Sequence, residues 1–332
     1  MNRMKRLGGR LPVLALALGL LLPTLSACGS EEGSAGSDGL TKITVALQPV
    51  TPFAQVPLGV EKGIFEKHGL DVDIEIISEA TTIPPALLSD QFQFSAWSYA
   101  SFATLVDKNL PLVTVGPGDT AGTDLKTDYT QLVALRSSGI TETADLDGKK
   151  VATNSLASLS QVQTMVALDN AGVDSESVEY VPIPYPDMEA ALTAGNVDAA
   201  QVGEPFLSKM LENPDAVALD ALDVAIMPNL PVSTWMTAKK FAESNPEVVE
   251  AFQLALRESS QYAQAHSDEV RSFLPDLTGI EESVAETMIL PTWVTEVDPA
   301  AVQSVVDTMA EYGAIESSVD MSEYMLPPPD AE

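Results

Sequence analysis

Cysteine is almost missing from this chain. Cys28 is the only one, so the chain can form neither an intramolecular disulfide nor a cysteine-based metal site. The fold must hold by core packing alone. Histidine is nearly as scarce. His68 precedes the turn at Gly69 and should face solvent, and His266 ends a long helix where a histidine suits the helix dipole. Neither stands beside a nucleophile or a metal-ligand cluster, which removes the usual supports of acid–base, nucleophilic and metal chemistry. Basic residues are few as well: 17 Lys+Arg against 48 Asp+Glu give a net charge of −31. That balance argues against nucleic acid and anionic membrane surfaces as partners. It reads as a solvated acidic surface, because exposed charges are screened beyond about 8 Å at physiological salt. The glycine-containing run Gly116-Pro117-Gly118-Asp119 lacks the Lys and Ser/Thr spacing of a P-loop. No hydrophobic run reaches the roughly 20 residues that cross a bilayer; the apolar stretch at 11–22 falls short.

That stretch has another use. Arg3, Lys5, Arg6 and Arg10 precede it, and Leu25-Ser26-Ala27-Cys28 follows. A cationic start, a short apolar core and small residues at the exit have the form of a secretory signal. Leu-Ser-Ala-Cys resembles the lipobox of bacterial lipoproteins, which implies cleavage before Cys28 and lipidation of its sulfur. The expected location is therefore extracytoplasmic, lipid-anchored to the outer face of a bacterial cell membrane. Residues 31–39 carry nothing apolar to bury and read as a flexible tether.

Beyond the tether, short β-like runs alternate with amphipathic helices, the pattern of an α/β fold. Residues 43–47 read as a first strand, and residues 53–61 as a helix stopped by Gly63. Asp71-Val72-Asp73-Ile74-Glu75-Ile76 alternates at period two, giving a half-exposed strand with three carboxylates on its solvated face rather than a metal site. Asn245-Pro246 and Asp298-Pro299 each combine an N-cap with a proline at the first helical position, and Gly313 stops the last helix.

An internal repeat is the most informative feature. Ala86-Leu87-Leu88-Ser89-Asp90-Gln91-Phe92-Gln93-Phe94-Ser95 matches Ala191-Leu192-Thr193-Ala194-Gly195-Asn196-Val197-Asp198-Ala199-Ala200 at an offset of 105. Val45-Ala46-Leu47-Gln48 matches Val151-Ala152-Thr153-Asn154 at nearly the same offset. Two matches in the same order point to two lobes of like topology. Open α/β sheets bind ligands beyond the carboxyl ends of their strands, so candidate contacts are the residues at those ends. They are Gln48, Phe53, Thr82, Trp97, Ser98 and Tyr99 on one side, and Asn154, Ser158, Ser160, Tyr185 and Glu204 on the other. Trp235 lies near the expected hinge. The aromatics have two readings, stacking on a flat ring or core packing. Ser158 and Ser160 read either as ligand contacts at a helix N-terminus or simply as N-caps.

Several segments resemble a known group. Residues 57–72, with Gly63-Ile64-Phe65 and Gly69-Leu70-Asp71-Val72, form its opening. Asp145-Leu146-Asp147-Gly148-Lys149-Lys150-Val151 resembles its "D-L-x-G-K-x-V" strand, and residues 191–206 its "A-L-x-x-G-x-V-D-A…E-P-F" segment. On these motifs, from about Ile43 to Gly313, the chain resembles the nitrate/sulfonate/taurine and thiamine-pyrimidine-precursor solute-binding proteins of ABC importers. The resemblance implies a two-lobed type II periplasmic-binding-protein fold with a ligand cleft between the lobes. The expected division is 1–27 signal, 28–40 anchor and tether, 41–131 plus 233–332 lobe I, and 132–232 lobe II. Crossings are expected near 130–135 and 231–237. Two residues depart from the group's pattern: Gln93 where aspartate is usual, and Asp90 where glycine is usual.

The implied function is capture of a small molecule by lobe closure, with a permease and its ATPase as partners, no cofactor, no metal, and a monomeric state. No Arg or Lys stands among the strand-end candidates, which favours an aromatic or nitrogen-bearing ligand such as a thiamine pyrimidine precursor. An aliphatic sulfonate, taurine or nitrate-type anion is the alternative. Glu204 reads either as an acceptor for a ligand N–H or as a structural residue, since the group carries Glu-Pro-Phe there whatever the ligand. Two other classes stay open: a lipid-anchored sensor, and a pyrimidine-precursor synthase-like enzyme. Against the enzyme, that group's cysteine-rich motif has no counterpart here.

Overall fold

The computed structural model describes residues 39–329. The signal and lipobox reading, Cys28 included, lies outside the described residues. Twelve strands follow in chain order: β1 Thr41–Leu47, β2 Leu70–Ile76, β3 Phe94–Ser98, β4 Leu112–Pro117, β5 Asp119–Thr120 and β6 Thr130–Leu135 come first. They are followed by β7 Lys150–Thr153, β8 Glu179–Pro182, β9 Ala199–Gly203, β10 Ala216–Ala221, β11 Ser233–Ala238 and β12 Thr292–Trp293.

They build two five-stranded sheets, ordered β2-β1-β3-β11-β4 and β10-β6-β9-β7-β8, and a small pair, β12-β5. The two large sheets share one plan. Three parallel strands (β2-β1-β3, and β8-β7-β9) continue into a strand of opposite sense, β11 in one and β6 in the other. Helices cover both faces of each sheet, which buries the inner parallel strands β1, β3, β7 and β9, while the edge strands β2 and β8 stay half-exposed.

The sequence repeat maps onto this symmetry. Val45 and Ala46 of β1 pair with Phe94 and Ser95 of β3, and Val151 and Ala152 of β7 pair with Ala199 and Ala200 of β9. The turn entering each core strand is left-handed, at Asp90 (φ 61°) and at Gly195 (φ 69°). Aspartate is one of the few non-glycine residues that tolerate this region. Gln93 supports it. Its amide Nε2 donates to the Asp90 carbonyl (3.0 Å) and side chain (3.1 Å), while its Oε1 accepts the Thr44 N–H at 2.7 Å. In the second sheet Asp198 accepts the Lys150 N–H at 2.9 Å in the equivalent place. The two departures from the family pattern therefore compensate one another.

Other local expectations divide. Gly63 (φ 71°) and Gly313 (φ 70°) end their helices, and Asp298 caps the helix Pro299–Glu311 through the Ala300 N–H at 2.9 Å. Asn245 does not cap the helix Pro246–Ala265: its side chain donates to the Phe241 carbonyl of the preceding helix, at 3.2 Å. His68 is not solvent-facing. Its Nε2 lies 2.9 Å from Glu258, whose carboxyl this contact and Lys67 together hold below its ordinary range.

The chain passes between the sheets twice. The expected crossing at 130–135 is instead β6, a full strand of the second sheet, and most of 231–237 is β11; the passages lie earlier, at 121–129 and 222–232. The two passages run antiparallel as a ribbon, with Gly118 N–H to Ser233 O (2.8 Å), Val232 N–H to Asp119 O (3.1 Å), Ala121 N–H to Leu230 O (2.9 Å) and Asn229 N–H to Gly122 O (2.9 Å). A Cβ on Gly122 would stand 2.3 Å from the Thr127 backbone, so that turn admits only glycine. The C-terminal segment returns to the first sheet, where Leu326 N–H bonds Thr114 O at 3.0 Å.

Candidate functional site

Strand direction and helix caps fix the geometry at the facing sheet edges. β1 and β3 run out into Gln48, Trp97 and Ser98, and β7 and β9 into Asn154 and Glu204. Ser98 caps the helix Tyr99–Asp107 by accepting the Ser101 N–H at 3.1 Å. Ser158 caps the helix Leu159–Asn170 through the Gln161 N–H at 3.5 Å. Ser158 therefore has the N-cap role that the sequence left open for it, and Ser98, read only as a ligand contact, proves to be an N-cap as well.

The structure separates the candidates. In the second lobe it brings together Ser160, Tyr185 and a residue that sequence reasoning missed, Gln201. The Tyr185 hydroxyl accepts from Gln201 Nε2 at 3.1 Å and lies 3.5 Å from Ser160 Oγ, while its ring stacks on Phe206 with centroids 5.9 Å apart. Burial pushes the Tyr185 hydroxyl above its ordinary pKa, and the Ser160 and Gln201 contacts oppose that shift. Gln201 is 1% exposed, and its Oε1 has no hydrogen-bond partner among the described residues. The available signal was a lone amide inside the apolar run of β9.

In the first lobe, Trp97 is partly buried, and its indole N–H has no acceptor. It packs on the large core cluster in which first-lobe residues meet Leu159 and Val162 of the second-lobe helix. Gln48 is partly buried at the end of β1. Thr82 is exposed, its hydroxyl donating to Glu79 O at 2.8 Å. Asn154 opens an exposed loop, 154–157, in which Ala157 takes φ 50°.

Four candidates are used elsewhere. Trp235 is 0% exposed and packs edge-on to Phe53 (centroids 6.2 Å) and against Phe252 (5.9 Å), so both Trp235 and Phe53 belong to the core behind the first sheet. Tyr99 is 1% exposed, and burial raises its hydroxyl's pKa beside Thr234 and Asp119. Glu204 accepts three donors: Ser208 Oγ (2.8 Å), Ser208 N–H (3.1 Å) and the Ile289 N–H of the other lobe (2.9 Å). Desolvation raises its pKa, and those hydrogen bonds pull it back. Its carboxylate is committed to tying the lobes, which leaves little capacity for a ligand. The nearby cation Arg271 is spent on the carbonyls of Ala285 (2.6 Å) and Met288 (2.9 Å).

No group of three or more His, Cys, Asp or Glu among the described residues could hold a metal ion. A cavity of about 390 Å³ lies elsewhere, lined by Tyr99, Gly116, Gln253, Leu256, Arg257 and Pro327 among others, all from the first lobe. It includes no second-sheet residue and so is not the space between the lobes.

Comparison with known proteins agrees with this architecture. The family described as NMT1/THI5 like matches residues 51–270. The taurine-binding periplasmic protein of Escherichia coli is 26% identical over 246 residues, covering 72% of this chain and 74% of that protein. A putative thiamine biosynthesis protein of Haemophilus influenzae is 26% identical over 293 residues, covering 82% and 87%. Among solved structures, the periplasmic aliphatic sulphonate binding protein SsuA of Escherichia coli superposes with a TM-score of 0.72 at 19% identity, covering 88% of this chain and 94% of that one.

Proposed function

The chain belongs to the NMT1/THI5-like family, and from that premise we propose that it is the solute-binding component of an ABC importer. In this reading lobe I, built on the first sheet (41–120 plus 233–329), and lobe II, built on the second (130–221), close on a small organic molecule, and the permease reads the closed form. The protein acts outside the cytoplasm as a monomer, held by a lipid at Cys28, and performs no chemistry on its cargo.

The ligand we favour is a flat, nitrogen-bearing ring without net negative charge. One observation carries this: the strand ends offer Trp97 from one lobe and the Ser160–Tyr185–Gln201 cluster from the other, with no Lys or Arg among the strand-end candidates. Aromatic faces stack on rings, and the free Gln201 Oε1 accepts an N–H. Gln48 and Thr82 complete the first-lobe rim, and Asn154 the second. A sulfonate or taurine ligand has its own support in the taurine-binding relative and in the N-terminus of the helix Leu159–Asn170, which follows β7.

Calorimetric titration with aminopyrimidines, taurine, short alkanesulfonates and nitrate decides between them. Binding of an aminopyrimidine, lost in Trp97→Ala, supports the ring reading. Binding of the anions alone overturns it and moves the contact to the N–H groups beside Ser158 and Ser160.

A further inference from the structure

The ribbon that joins the lobes carries three buried carboxylates, Asp119, Asp128 and Asp223, and the first of them lies between the lobe roots. Asp119 is 1% exposed. On the first-lobe side it belongs to β5, which pairs with β12, and its Oδ1 accepts the Ser233 hydroxyl of β11. On the other side its Oδ2 accepts the Tyr129 hydroxyl at 2.8 Å. Tyr129 is itself anchored to the second lobe: its carbonyl receives the Glu204 N–H at 2.9 Å, directly before β6 begins.

The side chains facing Asp119 are all hydroxyls or acids, and the Ser233 backbone N–H faces it as well. Those side chains are Ser233 of β11, Tyr129 of the first passage, Tyr99 of the helix Tyr99–Asp107, and Asp223 of the helix Leu222–Ile226. Asp223 in turn sits against Asp128 and is bonded by the Gln163 amide. No Lys, Arg or His hydrogen-bonds or ion-pairs with these three carboxyls among the described residues. A charge at Asp119 is thus held by hydroxyl donors and the Ser233 N–H against full desolvation, and its pKa is raised to about 6.

We propose that Asp119 is a proton-sensitive positioning residue of the hinge: its carboxylate grips the Tyr129 hydroxyl and fixes the angle between the lobes, and protonation loosens that grip. A hydrogen bond to an ionised acceptor is roughly twice as strong as a neutral one, so taking up a proton weakens the tie between the roots. The shared surface of the lobes then shifts its open–closed balance as pH falls. This holds whichever ligand the cleft takes.

Energy transfer between dyes on Gln91→Cys and Glu212→Cys, exposed positions on opposite lobes, reads the hinge in the full chain carrying Cys28→Ser, without ligand, from pH 5 to 8. The parent protein should titrate with a midpoint near pH 6, and Asp119→Asn should be flat. Tyr129→Phe should lose at least half the amplitude. Ser233→Ala should move the midpoint upward, because the Ser233 hydroxyl stabilises the charge. The Asp119→Asn comparison also separates this carboxyl from every other titratable group in the chain. A flat parent profile, or the same titration in Asp119→Asn, overturns the proposal. If Asp119→Asn does not fold, an unchanged midpoint in Ser233→Ala does so instead.

Discussion

Replacing Tyr185 by Phe removes one oxygen and tests the second-lobe cluster directly. In the native protein that oxygen is the partner of Gln201 Nε2, at 3.1 Å, and Gln201 Oε1 has none. Tyr185→Phe therefore leaves a side chain that is 1% exposed without hydrogen bonds among the described residues. Leaving a buried polar group unsatisfied costs about 1–3 kcal/mol, whereas removing both partners together is close to neutral. In a chain of this size each kcal/mol lowers the unfolding midpoint by about 2–4 °C. The variant should therefore melt roughly 2–12 °C lower, and urea denaturation should give the same loss with an unchanged slope. Adding Gln201→Leu should restore much of that stability, with a coupling of about 0.5–3 kcal/mol between the two positions. Losses below about 0.5 kcal/mol for Tyr185→Phe, or strictly additive effects, would refute the cluster.

Glu204→Ala removes the acceptor of three hydrogen bonds, including the inter-lobe bond from Ile289, and should cost about 1–3 kcal/mol by denaturant titration, while Glu204→Gln keeps much of it. Trp235→Ala opens a cavity in the core behind the first sheet and should cost about 3–5 kcal/mol, whereas Trp97→Ala should weaken ligand binding in calorimetry with a much smaller stability loss. Asp119 has its pKa raised from 3.8 to about 6, so the folded chain binds that proton more tightly than the unfolded one. Its contribution to stability is complete below about pH 4 and is lost as pH rises through about 6; the loss should be smaller in Asp119→Asn, as thermal melts at pH 5 and pH 7.5 can measure.

The architecture was legible because it is written in local rules. Alternation at residues 71–76, the helix-stopping Gly63 and Gly313 and the repeated Ala-Leu turn each correspond to one backbone event, and the repeat offset survives as strand register. The site was legible only in part, because a strand end says where a residue stands and not which way it faces. Trp235, singled out for its place near the hinge, and Phe53, placed just past β1, both lie behind the sheet, where they pack on one another and on the Phe252 helix. Glu204 is taken up by Ile289, 85 residues further along, which no local pattern announces. Asp119 sat within a glycine-containing run whose sequence excluded a P-loop and suggested nothing else. Its meaning comes from Ser233 and Tyr129, which the fold brings to it.

The central claim is that a small molecule is held between the two sheet edges and draws the lobes together. Hydrogen–deuterium exchange, with and without the ligand that titration identifies, tests it most directly. The account predicts protection at residues 97–99, 158–160 and 201–204, together with slowed exchange in the ribbon at 118–122 and 229–233. Protection confined to 114–117, 253–257 and 325–327, around the first-lobe cavity, would contradict it and move the binding site out of the cleft.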